Sequence, residues 1–323
     1  MFGALLALAS AAFFGLNNAT VRRGVLKASA LQGMAITVPL GVPIFLAFAF
    51  LMGGFRAMAA WGAMAWLWMA LAGIAHFVVG RYGNYRATQA LGSTLSTPVQ
   101  QLSIPVALGL AFAFLGETVN AVNLAGIGLI LAGPMVVSRR RQANTEAAMK
   151  KGFTPEYGAG FAWGLVCAAG YGSSPLFIAL GLGAGGGLAD GAAGVLVSYV
   201  AATAAVAVML AWAGGFGVLR GIDRGSGNWF LASTLLVAIS HLFRYLALAV
   251  APVSVVMPIQ RLSVVFRVLF SGVINREHEV FDLWVIASIL IAVLGAVLLT
   301  LDTAMLLGLF GLGAGHWLAQ PLI

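Results

Sequence analysis

Two short runs collect most of the side chains that could grip a ligand. The run GRYGNYRATQA, residues 80 to 90, carries Arg81, Tyr82, Asn84, Tyr85, Arg86 and Gln89. The run HLFRY, residues 241 to 245, carries His241, Arg244 and Tyr245. Arg81 and Tyr85 are four residues apart, as are His241 and Tyr245, so each pair shares a helical face. A guanidinium can hold a carboxylate, sulfonate or phosphate through two parallel hydrogen bonds. Other polar groups sit in apolar surroundings: Asn17 and Asn18 after Gly15, Gly172 to Pro175 with Ser174 among them, and the glutamines Gln100 and Gln260. Each is either the lining of a polar cavity or ordinary helix-to-helix hydrogen bonding. Trp163 is a further candidate for a cavity wall. Glu117 and Glu277 lie at loop edges, where a carboxylate caps or orients the following helix.

No catalytic constellation accompanies these residues. There is no HExxH, no GxSxG, no phosphate loop and no carboxylate pair spaced for hydrolysis. An enzyme is not expected, and no cofactor or metal site is implied. The single cysteine, Cys167, excludes an internal disulfide and a multi-thiolate zinc site. The glycine-rich run GLGAGGGLADG, residues 181 to 191, lacks the strand–helix setting of a dinucleotide fingerprint and reads as a connection.

The elements that must position these groups are membrane-spanning helices. The 323-residue chain is 61% hydrophobic and only 8% charged, against about 25% charged residues in a soluble domain. Apolar runs near the length of a bilayer-crossing helix recur from end to end. They are continuous rather than alternating, which favours helices over an outer-membrane barrel. The N-terminal run has no basic leader and reads as a first span. Ten spans are expected at about 3–21, 31–52, 65–90, 97–115, 120–138, 158–180, 193–214, 229–250, 254–273 and 281–301. The apolar tail 302–323 reads as an interfacial segment. Gly accounts for 42 residues, so close packing through small side chains is expected.

A buried arginine in such a setting is costly and normally faces the bundle interior. Arg81 and Arg86 each admit two readings, an anchor at the headgroups or a cavity lining. They are five residues apart and so do not share an α-helical stripe. Arg86 lies nearer the end of its span and can snorkel.

An offset of 160 relates the two halves: Tyr85 to Tyr245, Pro98 to Pro258, Gln100 to Gln260 and Glu117 to Glu277, with Arg81 opposite His241. Five spans is an odd number, so a duplicated five-span unit gives halves of opposite orientation. The expected fold class is an all-α polytopic membrane protein, ten transmembrane helices as two inverted five-helix repeats. The units are 1–138, a basic inter-repeat loop at 139–157, 158–301, and the tail. The net charge is +8, from three lysines and fourteen arginines. These cluster in or beside the odd-numbered loops, and the positive-inside rule puts those loops in the cytoplasm and both termini outside. No nucleic-acid module accompanies the positive charge.

The run YRATQALGSTLSTPVQQLSIPVALGLAFAFLGETVNAVNLAGIGLILAG, residues 85 to 133, carries a proline-led helix, an LGE turn and a glycine-rich helix in that order. With its counterpart at 244 to 300, it resembles the drug/metabolite transporter superfamily, specifically the EamA-type ten-helix permeases. The second-half acid departs from the pattern, sitting in NREHE rather than an LGE turn. The charge bias also opposes the cytoplasmic termini usual in that family. The resemblance implies a multi-pass permease of the bacterial inner membrane that works by alternating access, with the cavity between the halves. It implies cavity roles for Asn17, Arg81, Tyr85, His241 and Arg244. Pro98 and Pro258 would break helices four and nine, and Glu117 would be structural. Helices five and ten would pack at the back, giving a monomer or weak homodimer. The cationic set favours a small organic anion or zwitterion, with export the expected direction. The competing reading is a flippase for lipid or lipid phosphate. If H⁺ drives the cycle, His241 is a titratable group at hand.

Overall fold

The computed structural model describes residues 1–24, 28–132, 156–183 and 185–274, isolated positions between 287 and 308, and residues 316–322. The expected loop at 139–157 and most of the span at 281–301, with Glu277, lie outside the described residues. What is described is helical apart from turns and one isolated bridge, Asn120 with Pro321. In chain order the helices are α1 (Phe2–Gly24), α2 (Ala30–Thr37), α3 (Gly41–Leu51), α4 (Gly54–Ala59) and α5 (Ala63–Gly73). A π-helix, Ile74–Gly80, joins α5 to α6 (Arg81–Gln101), which leads to α7 (Ser103–Leu115) and α8 (Ala121–Ala132). Then follow α9 (Tyr157–Leu182), α10 (Leu188–Trp212), α11 (Arg224–Val250), α12 (Val253–Gln260) and α13 (Ser263–Ile274).

Among the described residues, five helical stretches are long and apolar enough to cross a membrane: Ala30–Leu51, Ala63–Ala87, Tyr157–Leu182, Leu188–Trp212 and Arg224–Val250. The chain is therefore a multi-pass α-helical membrane protein. α1 lies along α11 and α13, while α9 packs on α6 and α7. Ser10 and Ser240 lock the α1–α11 seam: each hydroxyl donates to the other's carbonyl at 2.8 Å. α8 meets the chain at Gly295, where a side chain on either Gly126 or Gly295 would run into the other's backbone.

Among the described residues, four interruptions of regular α-helix fall within the expected spans. The stretch Ala30–Leu51 turns at Val38–Leu40, where Pro39 removes an amide. Ile74–Gly80 widens to a π-helix. α6 and α7 meet at Leu102, and α12 and α13 at Arg261–Leu262. Irregular backbone at membrane depth is tolerated where it is buried in protein or lines a cavity. The last two breaks stand at the 160-residue offset already noted.

Two helix boundaries differ from the sequence expectation. The spans expected at 65–90 and 97–115 imply a connection between them ahead of Pro98, but α6 continues to Gln101. Serine and threonine are only mildly unfavourable in a helix, so the run at 93–97 need not break it. Pro258 sits near the end of α12 rather than its start. Glu117 does act as a cap, but not for the helix that follows it. Its two carboxylate oxygens accept from the backbone amides of Val253 and Ser254, both at 2.7 Å, at the start of α12. The α8 start is instead flanked by Asn120 and Asn123, each accepting from the other's amide.

Contacts among the connecting segments form two sets. Trp61 donates to Asp190 at 2.7 Å, Glu117 holds α12, Asn120 donates to Thr303, and the Leu322 amide donates to the Val119 carbonyl. In the other set, Gln32 donates to the Val218 carbonyl and the Glu156 amide to the Ala90 carbonyl.

Candidate functional site

Three of these interruptions, all but the one at Leu102, border two adjoining cavities. The first is lined by Asn17 and Asn18 of α1, Thr37 of α2, Arg81, Asn84 and Tyr85 of α6, and Ser233 and Val237 of α11. The second is lined by Met257, Gln260, Arg261 and Ser263 at the α12–α13 break. Phe14, His76, Tyr171 and His241 line both and form the partition between them. Each cavity leaves about 30 Å³ for the centres of water molecules, room for a couple of waters.

The π-helix explains how His76 and Arg81 reach the same cavity. Residues five apart diverge by about 140° on an α-helix, but i→i+5 hydrogen bonding stacks them on one side. Arg81 and Arg86 are also five apart, yet lie in regular α6. Arg81 is 6% exposed, whereas Arg86 is an exposed residue. The Arg86 guanidinium lies 5.6 Å from the Trp163 ring centre, and Trp163 is in neither of the two cavity linings described above. Gly170 makes the close approach possible on the other side. A Cβ there would meet the Gly80 amide nitrogen at 2.6 Å and the Gly80 Cα at 2.8 Å. This contact sets Tyr171 against His76, ring centres 4.5 Å apart.

The polar geometry is built around arginines. Arg81 donates through Nη1 to Thr37 at 3.1 Å, and its Nη2 lies 3.4 Å from His241 Nε2. Thr37 in turn donates to the Gly33 carbonyl, which fixes the hydroxyl. Arginine only donates, so His241 Nε2 accepts and Nδ1 carries the hydrogen; Nδ1 is buried without a partner in the protein. Arg244 is 0% exposed. Its Nη1 lies 2.7 Å from His76 Nδ1, its Nη2 donates to Ser174 at 3.3 Å, and its Nε is unpartnered. Arg261 donates from Nη2 to the Ser103 hydroxyl, tying one helix break to the other, and its Nε is unpartnered. Neither cavity lining contains an aspartate or glutamate among the described residues.

The expected site residues separate into two groups. Asn17, Arg81, Tyr85 and His241 line the first cavity, and Gln260, with His241, the second. Asn17 accepts from Ser233 at 2.6 Å, and Gln260 donates to Ser10 at 2.8 Å. Arg244, Ser174, Tyr245 and Gln100 are not among the lining residues. Arg244 and Ser174 stand behind His76, while the Tyr245 hydroxyl donates to Ser198. Sequence reasoning passed over His76, Tyr171, Thr37 and Ser233. His76 lacks a polar partner nearby in sequence, because its partner Arg244 lies 168 residues away.

The class that the fold and site define is thus a multi-pass helical membrane protein with a cationic, polar chamber at its centre. Comparison with known proteins narrows this. Residues 1–139 match the model of the EamA-like transporter family. A solved structure, described only as a crystal structure of a protein, is similar with a TM-score of 0.69 at 16% identity, the match covering 92% of this chain and 96% of that one. At that identity the likeness concerns the fold. No curated protein matches the chain. The match over residues 1–139 is consistent with a transporter of the drug/metabolite superfamily and supports a protein that is not an enzyme.

Proposed function

We propose that the protein is a secondary transporter that carries a small organic anion or zwitterion through the central chamber by alternating access, in the export direction, across a bacterial inner membrane. One observation carries the reading. The chamber presents hydrogen-bond donors from Arg81, Arg261 and His241, and its linings contain no carboxylate among the described residues. Buried charge is retained in a membrane where it serves a ligand or ion path, and a donor-rich cationic chamber suits an acceptor-rich anion.

The architecture supporting this is ten spans in two inverted repeats, 1–138 and 158–301. Alternate crossing would put the segments around Trp61, Glu117, Asp190, Val253 and Thr303 on one face of the membrane. It would put those around Gln32, Ala90, Glu156 and Val218 on the other. The two sets of connecting contacts follow this division. A lipid flippase would need its arginines to face a lateral opening. The burial of Arg81 and the stacking of Arg86 on Trp163 favour the enclosed-substrate reading.

Uptake into proteoliposomes, compared across anionic, zwitterionic and cationic metabolites, tests the proposal. Anion or zwitterion uptake is expected, with Arg81→Ala lowering anion uptake at least tenfold while the protein remains folded by circular dichroism. Cation uptake alone, or full anion uptake by the folded variant, would refute it.

A further inference from the structure

We infer that the chamber takes a small dianion whose two acid groups stand apart, a short dicarboxylate with one end at Arg81 and the other at Arg261. This rests on the anion reading above and narrows it.

The first observation is the division of the site. Each cavity contains one arginine: Arg81 in the first, Arg261 in the second. The partition is a single layer of rings. His76 and His241 have ring centres 5.0 Å apart, and His76 and Tyr171 4.5 Å. Each cavity by itself has room for a couple of waters, so a ligand reaching both passes its carbon chain where these rings now meet. Val237 on one side and Met257 on the other give that chain apolar contacts.

The second observation is the donor inventory. Arg81 is tied to Thr37 and Arg261 to Ser103. These bonds hold each guanidinium in place and leave other N–H groups on the same side chain. Arg261 Nε has no partner, and neither does His241 Nδ1 in the partition between the two arginines. Arg261 and the partition thus ask for acceptors, Arg81 keeps N–H groups beyond those directed at Thr37 and His241, and a carboxylate accepts without donating. An ammonium group would meet an arginine at either end and no acid side chain from either lining, which disfavours a zwitterion.

The third observation is charge balance. Arg81, Arg244 and Arg261 bring three guanidinium groups to the chamber and the layer behind it. A monoanion leaves two of them uncompensated, whereas a dianion leaves one. Burial makes each uncompensated charge costly, and splitting the anion into two separated groups matches the separation of Arg81 and Arg261.

The test uses full-length protein in liposomes and labelled dicarboxylates from malonate to adipate. Unlabelled competitors are each dicarboxylate, its monomethyl half-ester, the monocarboxylate of equal length, and a phosphate monoester. One dicarboxylate is expected to compete about thirtyfold better than its half-ester, the loss typical of removing one partner from a buried charge pair. Arg261→Gln is expected to reduce that preference to roughly threefold or less, since the second pair is then already broken. Equal competition by half-ester and dicarboxylate, or a preference for the phosphate monoester, would overturn the two-ended site and leave the anion reading standing. Failure of every anion to enter or compete would remove both. The half-ester comparison needs only the wild-type protein, so it decides the matter even if Arg261→Gln does not fold.

Discussion

Glu117 offers a way to test how the two halves of the chain hold one another. Its carboxylate oxygens each accept a backbone amide of α12, from Val253 and Ser254, at 2.7 Å. A glutamine at 117 keeps one acceptor and turns an amide group toward the other donor. The loss is one charge-assisted hydrogen bond, about 1.5–3 kcal/mol, together with the favourable placement of a negative charge at a helix start, about 0.3–1 kcal/mol. Glu117 is only partly buried, so water can reach the freed amide and the lower ends of these ranges apply. About 2 kcal/mol is expected in total. A large domain shifts its Tm by about 2–4 °C per kcal/mol, so Glu117→Gln should melt about 4–8 °C below wild type. The assay is thermal unfolding in detergent, followed by intrinsic tryptophan fluorescence. Glu156→Gln is the control: Glu156 is exposed at the head of α9 and its substitution should move the midpoint by less than about 1 °C. If Glu117→Gln melts with wild type, as Glu156→Gln should, the cap does not hold α12. Because α12 ends at Gln260 and Arg261, a lowered midpoint should be accompanied by weaker anion uptake.

Gly170→Ala should destabilise by about 1–3 kcal/mol, because the new methyl meets backbone at Ala75 and Gly80 rather than a movable side chain; Gly109→Ala, which meets nothing within 4 Å, should be neutral or stabilising in the same melt. Tyr245→Phe removes the hydrogen bond to Ser198 at a cost of about 1 kcal/mol, and should leave uptake kinetics unchanged because Tyr245 lies outside both cavity linings. A large rise in KM for that variant would place Tyr245 in the ligand path.

Five of the expected spans, those near 31–52, 65–90, 158–180, 193–214 and 229–250, have helical counterparts long and apolar enough to cross a membrane, because a bilayer demands long apolar runs whatever the tertiary packing. The offset of 160 gives Arg81 and His241 corresponding places in the sequence, and their nitrogens lie 3.4 Å apart. Arg244 and Tyr245 were recognised as polar intramembrane groups, but one-dimensional spacing cannot tell a cavity wall from the layer behind it. That difference depends on helix rotation. His76 was illegible for a related reason. Its partner is distant in sequence, and the segment Ile74–Gly80 has no composition that announces a π-helix.

That widened turn decides what the arginine spacing means. Were residues 74–86 all regular α-helix, His76 would diverge from Arg81 by the same angle that separates Arg81 from Arg86. The π-helix acts on only one of these intervals. It brings His76 round to the face of Arg81 while Arg86 stays outside on Trp163. Arg244 then has a buried imidazole to donate to, and Tyr171 has a ring to pack on. The partition between the cavities is thus assembled from an irregular turn in one half of the chain and regular helices α1, α9 and α11. Of the four rings, His76 alone rides on the irregular turn.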